Sequence, residues 1–312
     1  MSTVSINKPD SQKVILLFGP TAVGKTETLL ELFGGRGEVI SADSLQAYRG
    51  LDIGTAKPGE RISAILPHHL IDIKNPDEGY NAGEFVAAAD KSVATIISRG
   101  HVPIVSGGTP FYLRNFIFGL PETPPGDPLV RSQIDEEVER EGIEAAYDRL
   151  RAVDPETAGR LSPRDAYRIK RALEVYAITG KKLSSHSVSV TKRDNFDMLL
   201  VGLDRPRDEL NRRIERRVEM MFSQGLVSEI AELIEAGYRE HAPAMHGIGY
   251  REFLCMRKNG CMTLTDVREM IVMNTRRFAK RQRTFFKRFP ETRWFHPDEK
   301  TAISEHVGCF LA

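Results

Sequence analysis

Short apolar runs alternate along the first part of the chain with segments whose apolar positions recur at helical spacing. Residues 14–18, 39–42, 69–73, 102–106 and 198–203 read as strands. Between them, residues 27–33 are compatible with a helix. Phe85, Ala88, Ala89, Val93, Ile96 and Ile97 mark another by i, i+3, i+4 spacing, and Gly100 ends it. Strand and helix in alternation is the pattern of a parallel sheet with crossover helices, so an α/β core is expected.

Residues 121–195 break that rhythm. They open with a proline-rich hinge at Pro121, Pro124, Pro125 and Pro128 and continue as charged amphipathic segments without a convincing strand. The stretch reads as a helical insertion. After Leu203 the pattern stays helical, over 208–236 and again over 265–289, which predicts a mostly helical C-terminal region packed back on the core. The expected organisation is a core of residues 10–120 and 196–312, interrupted by an insertion at 121–195. No internal repeat or low-complexity tract is visible.

The chemistry is clearest where the first strand ends. Gly19, Pro20, Thr21, Ala22, Val23, Gly24, Lys25 and Thr26 spell G-x-x-x-x-G-K-[ST], a phosphate-cradling loop. Its glycines let backbone N–H groups converge on phosphate oxygens, Lys25 adds a point charge and Thr26 can ligate Mg²⁺. A helix beginning there turns its N-terminus toward the same anion. The expected fold is therefore an α/β, P-loop NTPase-like parallel sheet, and something carrying a di- or triphosphate binds to it.

Asp43 follows the second apolar run and so sits at the carboxyl edge of the sheet beside this loop. It has three readings here: a water-mediated Mg²⁺ ligand, a general base, or a turn aspartate. The third run ends in Ser106-Gly107-Gly108-Thr109, without the acid that ATP-hydrolysing relatives place there. These glycines suit a backbone lying close to a ligand, or a simple turn. Arg213 and Arg217, four apart on a helix buried through Leu210, Ile214, Val218 and Met221, share a side and serve either a phosphate or a solvated face. His68 and His69 are adjacent, face opposite ways in a strand, and are assigned no metal.

A net charge of only +1 over 312 residues conceals strong local asymmetry. Residues 276–293 carry eight cations against one acid, interleaved with Phe278, Phe285, Phe286 and Phe289, and Trp294 follows. That combination suits phosphate contact with base stacking, unless the aromatics belong to the core. A second basic cluster, Arg160, Arg164, Arg168, Lys170 and Arg171, falls in the insertion, and the pair of clusters points to RNA. Cys255, Cys261 and Cys309 lack metal-type spacing and read as reduced thiols. With neither signal peptide nor membrane span indicated, a cytoplasmic protein without membrane attachment is expected, and a monomer, since no exposed apolar seam is apparent.

Ordered along the chain stand the phosphate loop, Ser41-Ala-Asp-Ser-Leu-Gln46, Gly50-Leu-Asp-Ile-Gly-Thr-Ala-Lys-Pro58, Gly107-Gly-Thr109, Arg168-Ile-Lys-Arg-Ala-Leu-Glu-Val175, Gly247-Ile-Gly-Tyr-Arg251 and Ala279-Lys-Arg-Gln282. In these words the chain resembles the bacterial tRNA dimethylallyltransferases nearly end to end. The resemblance implies transfer of a dimethylallyl group from dimethylallyl diphosphate to the N6 amine of the adenosine 3′ to the anticodon, with Mg²⁺ and the anticodon stem-loop of tRNA as partners. It implies that the loop holds the diphosphate, that Asp43 is the general base, that Thr21 contacts the bridging oxygen and that Arg217 binds diphosphate. It also implies tRNA contacts from Asp43, Ser44, Leu45, Gln46, Thr109 and Arg131, and from Tyr167, Arg168, Ile169, Lys170 and Arg171. Further contacts would come from His246, Gly247, Ile248, Gly249, Tyr250 and Arg251, and from Lys280, Arg281, Gln282, Arg283, Thr284, Phe285, Phe286 and Lys287. The residues alone leave open an adenylate prenyltransferase, a P-loop small-molecule kinase and a non-catalytic, nucleotide-switched RNA-binding module.

Overall fold

The structure, a computed structural model, describes residues 12–186, 189–260 and 262–312. Cys261 and the first residues of the chain lie outside them; Cys255 and Cys309 are free thiols at the surface. The chain divides into two compact units, one formed by the residues up to Ile117 together with Arg193–Ala312, the other by Phe118–Lys192.

The first unit is built on a six-stranded, wholly parallel sheet: β1 Gln12–Phe18, β2 Gly37–Ser41, β3 His68–His69, β4 Val102–Gly107, β5 Phe196–Leu203 and β6 Arg293–Phe295, in the order β3-β2-β4-β1-β5-β6. Val14 to Phe18 are all fully buried, the continuous apolar run of a strand covered on both faces. Leu17 pairs with Ser106 on one side and Val201 on the other, which sets the ends of β1 and β4 level. Helices α1 Lys25–Phe33, α2 Glu60–Ile65, α3 Ala82–Ser98 and α4 Pro110–Phe118 connect or follow the first strands. Asn81 starts α3 by accepting the N–H groups of Gly83 and Glu84.

In the second unit, α5 Pro128–Glu141, α6 Ile143–Val153, α7 Pro155–Arg160 and α8 Ala166–Thr179 bury Ile134, Leu150, Ile169 and Leu173 among themselves. Glu174, 1% exposed, accepts the N–H of Asp127 at 3.0 Å and pairs with Arg131 at 2.9 Å and Arg171 at 2.6 Å, so a buried carboxylate orients both guanidinium groups. Tyr167, at 78%, stands out beside Arg168.

The chain returns to the first unit through β5, then α9 Arg207–Ser223, α10 Leu226–Glu235, α11 Arg251–Asn259, α12 Leu264–Phe286, β6 and α13 Lys300–Leu311. Thr263 and Asp266 close a capping box on α12. Among the described residues no helix is long and apolar enough to cross a membrane.

The architecture differs from the expectation in three places. The strand expected over 69–73 is only His68–His69, because Leu70 and Asp72 adopt positive φ and the N–H groups of Asp72 and Ile73 turn to the carbonyls of Gln46 and Ala47. The helix expected over 208–236 is two helices, broken at Gly225, whose φ of 103° belongs to a turn. β6 is an addition to the expected strands: Arg-Trp-Phe is too short to carry a period.

Candidate active site

The loop after β1 runs into α1 with Gly24 in the left-handed region, and this turns the first N–H groups of α1, which have no intrahelical acceptor, toward a common cleft. The loop's carbonyls are taken up by cationic side chains. Lys25 Nζ donates to the carbonyls of Gly19 and Pro20 at 3.0 Å each. Arg213 Nε donates to that of Ala22 at 2.8 Å and Arg205 Nε to that of Val23 at 2.7 Å. Cations thus occupy the loop's carbonyls, while Ala22, Gly24, Lys25 and Thr26 border the cleft, a surrounding that suits an anion.

Asp43 stands at the corner after β2. Its Oδ1 accepts the N–H groups of Leu45 at 3.0 Å and Gln46 at 3.4 Å, so the turn role is real and occupies one oxygen. Oδ2 faces Gly108: a Cβ there would lie 3.4 Å from it and 2.8 Å from the Gln282 amide nitrogen, while one on Gly107 would lie 2.2 Å from the Ala42 carbonyl. Glycine is what lets the turn after β4 approach this closely. Thr109 locks the corner, its Oγ1 accepting the N–H of Ser44 at 2.9 Å and its own N–H donating to the Ala42 carbonyl at 3.0 Å.

Two chambers meet here. One, of 580 Å³, is lined by Thr21, Ala22, Gly24, Lys25 and Thr26, with Asp43, Gln46, Thr55 and Arg217 among its other walls. The second, of 410 Å³, is lined by Ser44, Leu45, Thr109, His246, Gly247, Ile248, Gly249, Arg251 and Arg281 among others. Thr21, Asp43, Thr55, Arg217 and Phe278 border both. Arg217 is held there by its bond to the Thr55 carbonyl at 3.0 Å. The arrangement presents a phosphate-binding loop, a carboxylate and a guanidinium around one junction.

Burial pulls Lys25 down to about 8, and Arg217 adds to the shift, while Asp43 and Glu27 oppose it. The ammonium is therefore fully charged only below that value, and an anion favours the charged form. Affinity for inorganic diphosphate is accordingly expected to fall as pH rises through about 8, by about tenfold between pH 7 and pH 9 relative to Lys25→Arg, which stays charged and cancels the ligand's own titration. Calorimetric titration of both proteins across this range checks it. Parallel pH curves would show that Lys25 does not sense the anion.

The structure brings together most of the loop, Asp43, Thr109, Arg217 and 246–251, but not every residue assigned with them. Of the loop residues, Gly19, Pro20 and Val23 do not line the cleft, and Val23 is in the core. Gln46 points into the phosphate-side chamber, where Ser41 donates to it at 3.0 Å, and it is absent from the walls of the second. Ile169, Tyr250 and Phe286 are fully buried, and Gln282, at 1% exposure, borders only the phosphate-side chamber. The Phe286 ring lies 5.0 Å from that of Phe18, and Phe289 and Trp294 join the same cluster, so two aromatics of the basic stretch and the tryptophan after it pack onto the core. Lys280, Arg281 and Thr284 on α12 and Lys287 just after it remain exposed, and with Phe285 the first three line a surface groove. Arg283 is tied to Asp204 at 2.6 Å.

Sequence reasoning missed Glu229. Its carboxylate accepts the N–H groups of Asp52 at 3.0 Å, Ile53 at 2.6 Å and Gly54 at 3.1 Å and the Tyr250 hydroxyl at 2.7 Å, fixing the segment that leads to Thr55. It also missed Arg205, buried against the loop. Neither carries a local signal, since both act on partners far away in the chain.

The IPP transferase family model matches residues 46–289. The tRNA dimethylallyltransferase of Geobacter sulfurreducens is 43% identical over 284 residues, 90% of this chain and 91% of that protein. The tRNA dimethylallyltransferase 2 of Geotalea uraniireducens is 42% identical over 98% of this chain and 100% of its own length. Among solved structures, the full-length tRNA isopentenylpyrophosphate transferase of Bacillus halodurans aligns with a TM-score of 0.68 and 34% identity over 96% of this chain and 97% of that one. A eukaryotic dimethylallyltransferase, described as acting on tRNA, aligns with a TM-score of 0.71 and 31% identity over 87% of this chain and 69% of its own. Matched over most of its length by the family model and by relatives at these identities, the chain belongs to the IPP transferase family, that of the tRNA dimethylallyltransferases.

Proposed function

We propose that the protein transfers the dimethylallyl group of dimethylallyl diphosphate to the N6 amine of the adenosine 3′-adjacent to the anticodon in tRNA, releasing diphosphate. The observation that carries this reading is the position of Asp43 at the junction of the chambers, with phosphate-loop residues on one side and the 246–251 segment on the other. Donor and acceptor would meet at a carboxylate.

In the reaction the bond from the allylic carbon to the bridging oxygen breaks, its electron pair leaves with diphosphate, and the N6 lone pair forms the new C–N bond. The N6 proton passes to Asp43 Oδ2, the oxygen not engaged by the turn. Loop N–H groups, Lys25 and Arg217 would stabilise the growing negative charge, and Thr21, which borders both chambers, would contact the bridging oxygen. Thr26 is the residue that would hold Mg²⁺. Thr26 borders the phosphate-side chamber, and its hydroxyl is an oxygen donor of the kind Mg²⁺ takes beside substrate phosphates. Such an ion supplies neutralisation of the leaving group.

The target base must leave its stack to enter the second chamber, at an expense of a few kcal/mol recovered through contacts with the rest of the tRNA. Exposed Lys280, Arg281, Thr284 and Lys287, with Arg251, supply such contacts in this reading, as do Arg131, Tyr167, Arg168, Lys170 and Arg171 of the helical unit 118–192. A monomer acting in the cytoplasm belongs to the same proposal.

Incubation with labelled dimethylallyl diphosphate and either unmodified tRNA, AMP, or ATP plus tRNA tests it. Mg²⁺-dependent label in tRNA alone is the expected result. Label in AMP would make it an adenylate prenyltransferase, ATP turnover a kinase, and tRNA binding without transfer a non-catalytic module.

A further inference from the structure

Gln282 is 1% exposed on a helix whose neighbouring positions Lys280, Arg281 and Thr284 face solvent. Its carboxamide points inward and is engaged at both ends. Oε1 accepts the N–H of Thr21 at 2.8 Å, and Nε2 donates to the Gly108 carbonyl at 2.5 Å. The partners dictate which end is which, since a backbone N–H only donates and a carbonyl only accepts. Thr21 belongs to the phosphate loop. Gly108 belongs to the turn after β4, whose next residue, Thr109, grips Ser44 and Ala42 on either side of Asp43. Asp43 Oδ2 itself lies 3.4 Å from where a Cβ of Gly108 would be. One side chain thus ties the loop beside the leaving group to the turn that, through Thr109, grips the corner carrying the carboxylate, and it borders the phosphate-side chamber as it does so.

We infer that Gln282 is a positioning residue for group transfer: it fixes the separation of Thr21 and Asp43, and with it the alignment of bridging oxygen, allylic carbon and N6, without exchanging a proton or an electron pair with either substrate. The inference rests on the proposed role of Asp43 as base. Each substrate is held mainly by contacts within its own chamber, so a small drift between the elements leaves binding largely intact. Transfer requires both elements in register, and a displacement of ~1 Å at a reacting centre lowers the rate by ~10²-fold. Methionine makes neither bond, ionised glutamate keeps the acceptor but sets an oxygen against the Gly108 carbonyl, and asparagine is a methylene short.

The test compares kcat and KM for Gln282→Met and Gln282→Glu, each in the native and in an Asp43→Asn background, with thermal melting and diphosphate binding as controls for folding. In the native background kcat is expected to fall about 30- to 100-fold, with KM for both substrates within about threefold. In the Asp43→Asn background the further loss is expected to shrink below about fivefold, because misplacing a base already removed changes little. Equal losses in both backgrounds, or a loss confined to KM, overturn the inference. Should Gln282→Met fail to fold, Gln282→Glu, which still accepts from Thr21, carries the same comparison. Absence of transfer by the native protein, or an unchanged rate in Asp43→Asn alone, overturns the functional reading instead and takes this inference with it.

Discussion

Asp43→Asn is expected to lower turnover by about 10²–10⁴-fold while leaving the binding of donor and tRNA within a few-fold of native. Asparagine is the informative replacement because its side-chain oxygen still accepts from Leu45 and Gln46, so the corner after β2 keeps its geometry and only the proton acceptor is lost. The measurement should be made near pH 7. Asp43 is one of the groups that hold the Lys25 ammonium charged, and removing it carries Lys25 below about 8, which would mix a binding defect into the rate at higher pH. A turnover equal to native would exclude Asp43 as the base and return it to the turn role alone. A loss in KM with kcat preserved would make it a binding group.

Arg217→Ala is expected to reduce kcat by about 10²–10³-fold, the loss seen when one preorganised donor to a developing anion is removed, or roughly 2.7–4 kcal/mol. Arg217 lines both chambers. Burial depresses its pKa while Asp43 and Glu27 support its charge, so the guanidinium is held in a desolvated place where it acts strongly on an anion. The same variant makes an independent demand. Because the guanidinium lowers the Lys25 pKa, its removal should move the pH dependence of diphosphate binding to values above about 8, even as affinity at pH 7 drops. A lower affinity without that displacement would mean that the residues do not share one anion.

The parts of the molecule legible in sequence are those in which neighbours along the chain do the work. β1 is an unbroken apolar run leading into a loop that uses consecutive backbone N–H groups, and α3 shows its buried face through Phe85, Ala89, Val93 and Ile96. Asp43 is recognisable because the end of a strand in such a sheet is a functional edge. The strand expected over 69–73 fails for a reason absent from any pattern of hydrophobicity, since Leu70 and Asp72 take positive φ while the N–H groups of Asp72 and Ile73 bond to Gln46 and Ala47. The basic stretch 276–293 divides in a way that charge counting does not reveal. Its cations on the outer face of α12 stay available to a polyanion, and Phe286 and Phe289 turn inward onto Phe18.

From its order of residues alone this chain declared a parallel α/β core, an anion loop at the end of β1, a carboxylate beside it and a family, because each is written in adjacent residues or in words strung along the chain. Tertiary structure alone decided that Arg205 and Arg213 hold the loop's carbonyls from positions far along the chain, that Glu229 gathers the amides of residues 52–54, that Asp43 spends one oxygen on its turn, and that Gln282 joins Thr21 to Gly108. A hydrogen bond between residues 261 positions apart, as that from Thr21 to Gln282 is, leaves no trace in local spacing; it exists only once the core has packed and the ends of β1, β2 and β4 stand side by side.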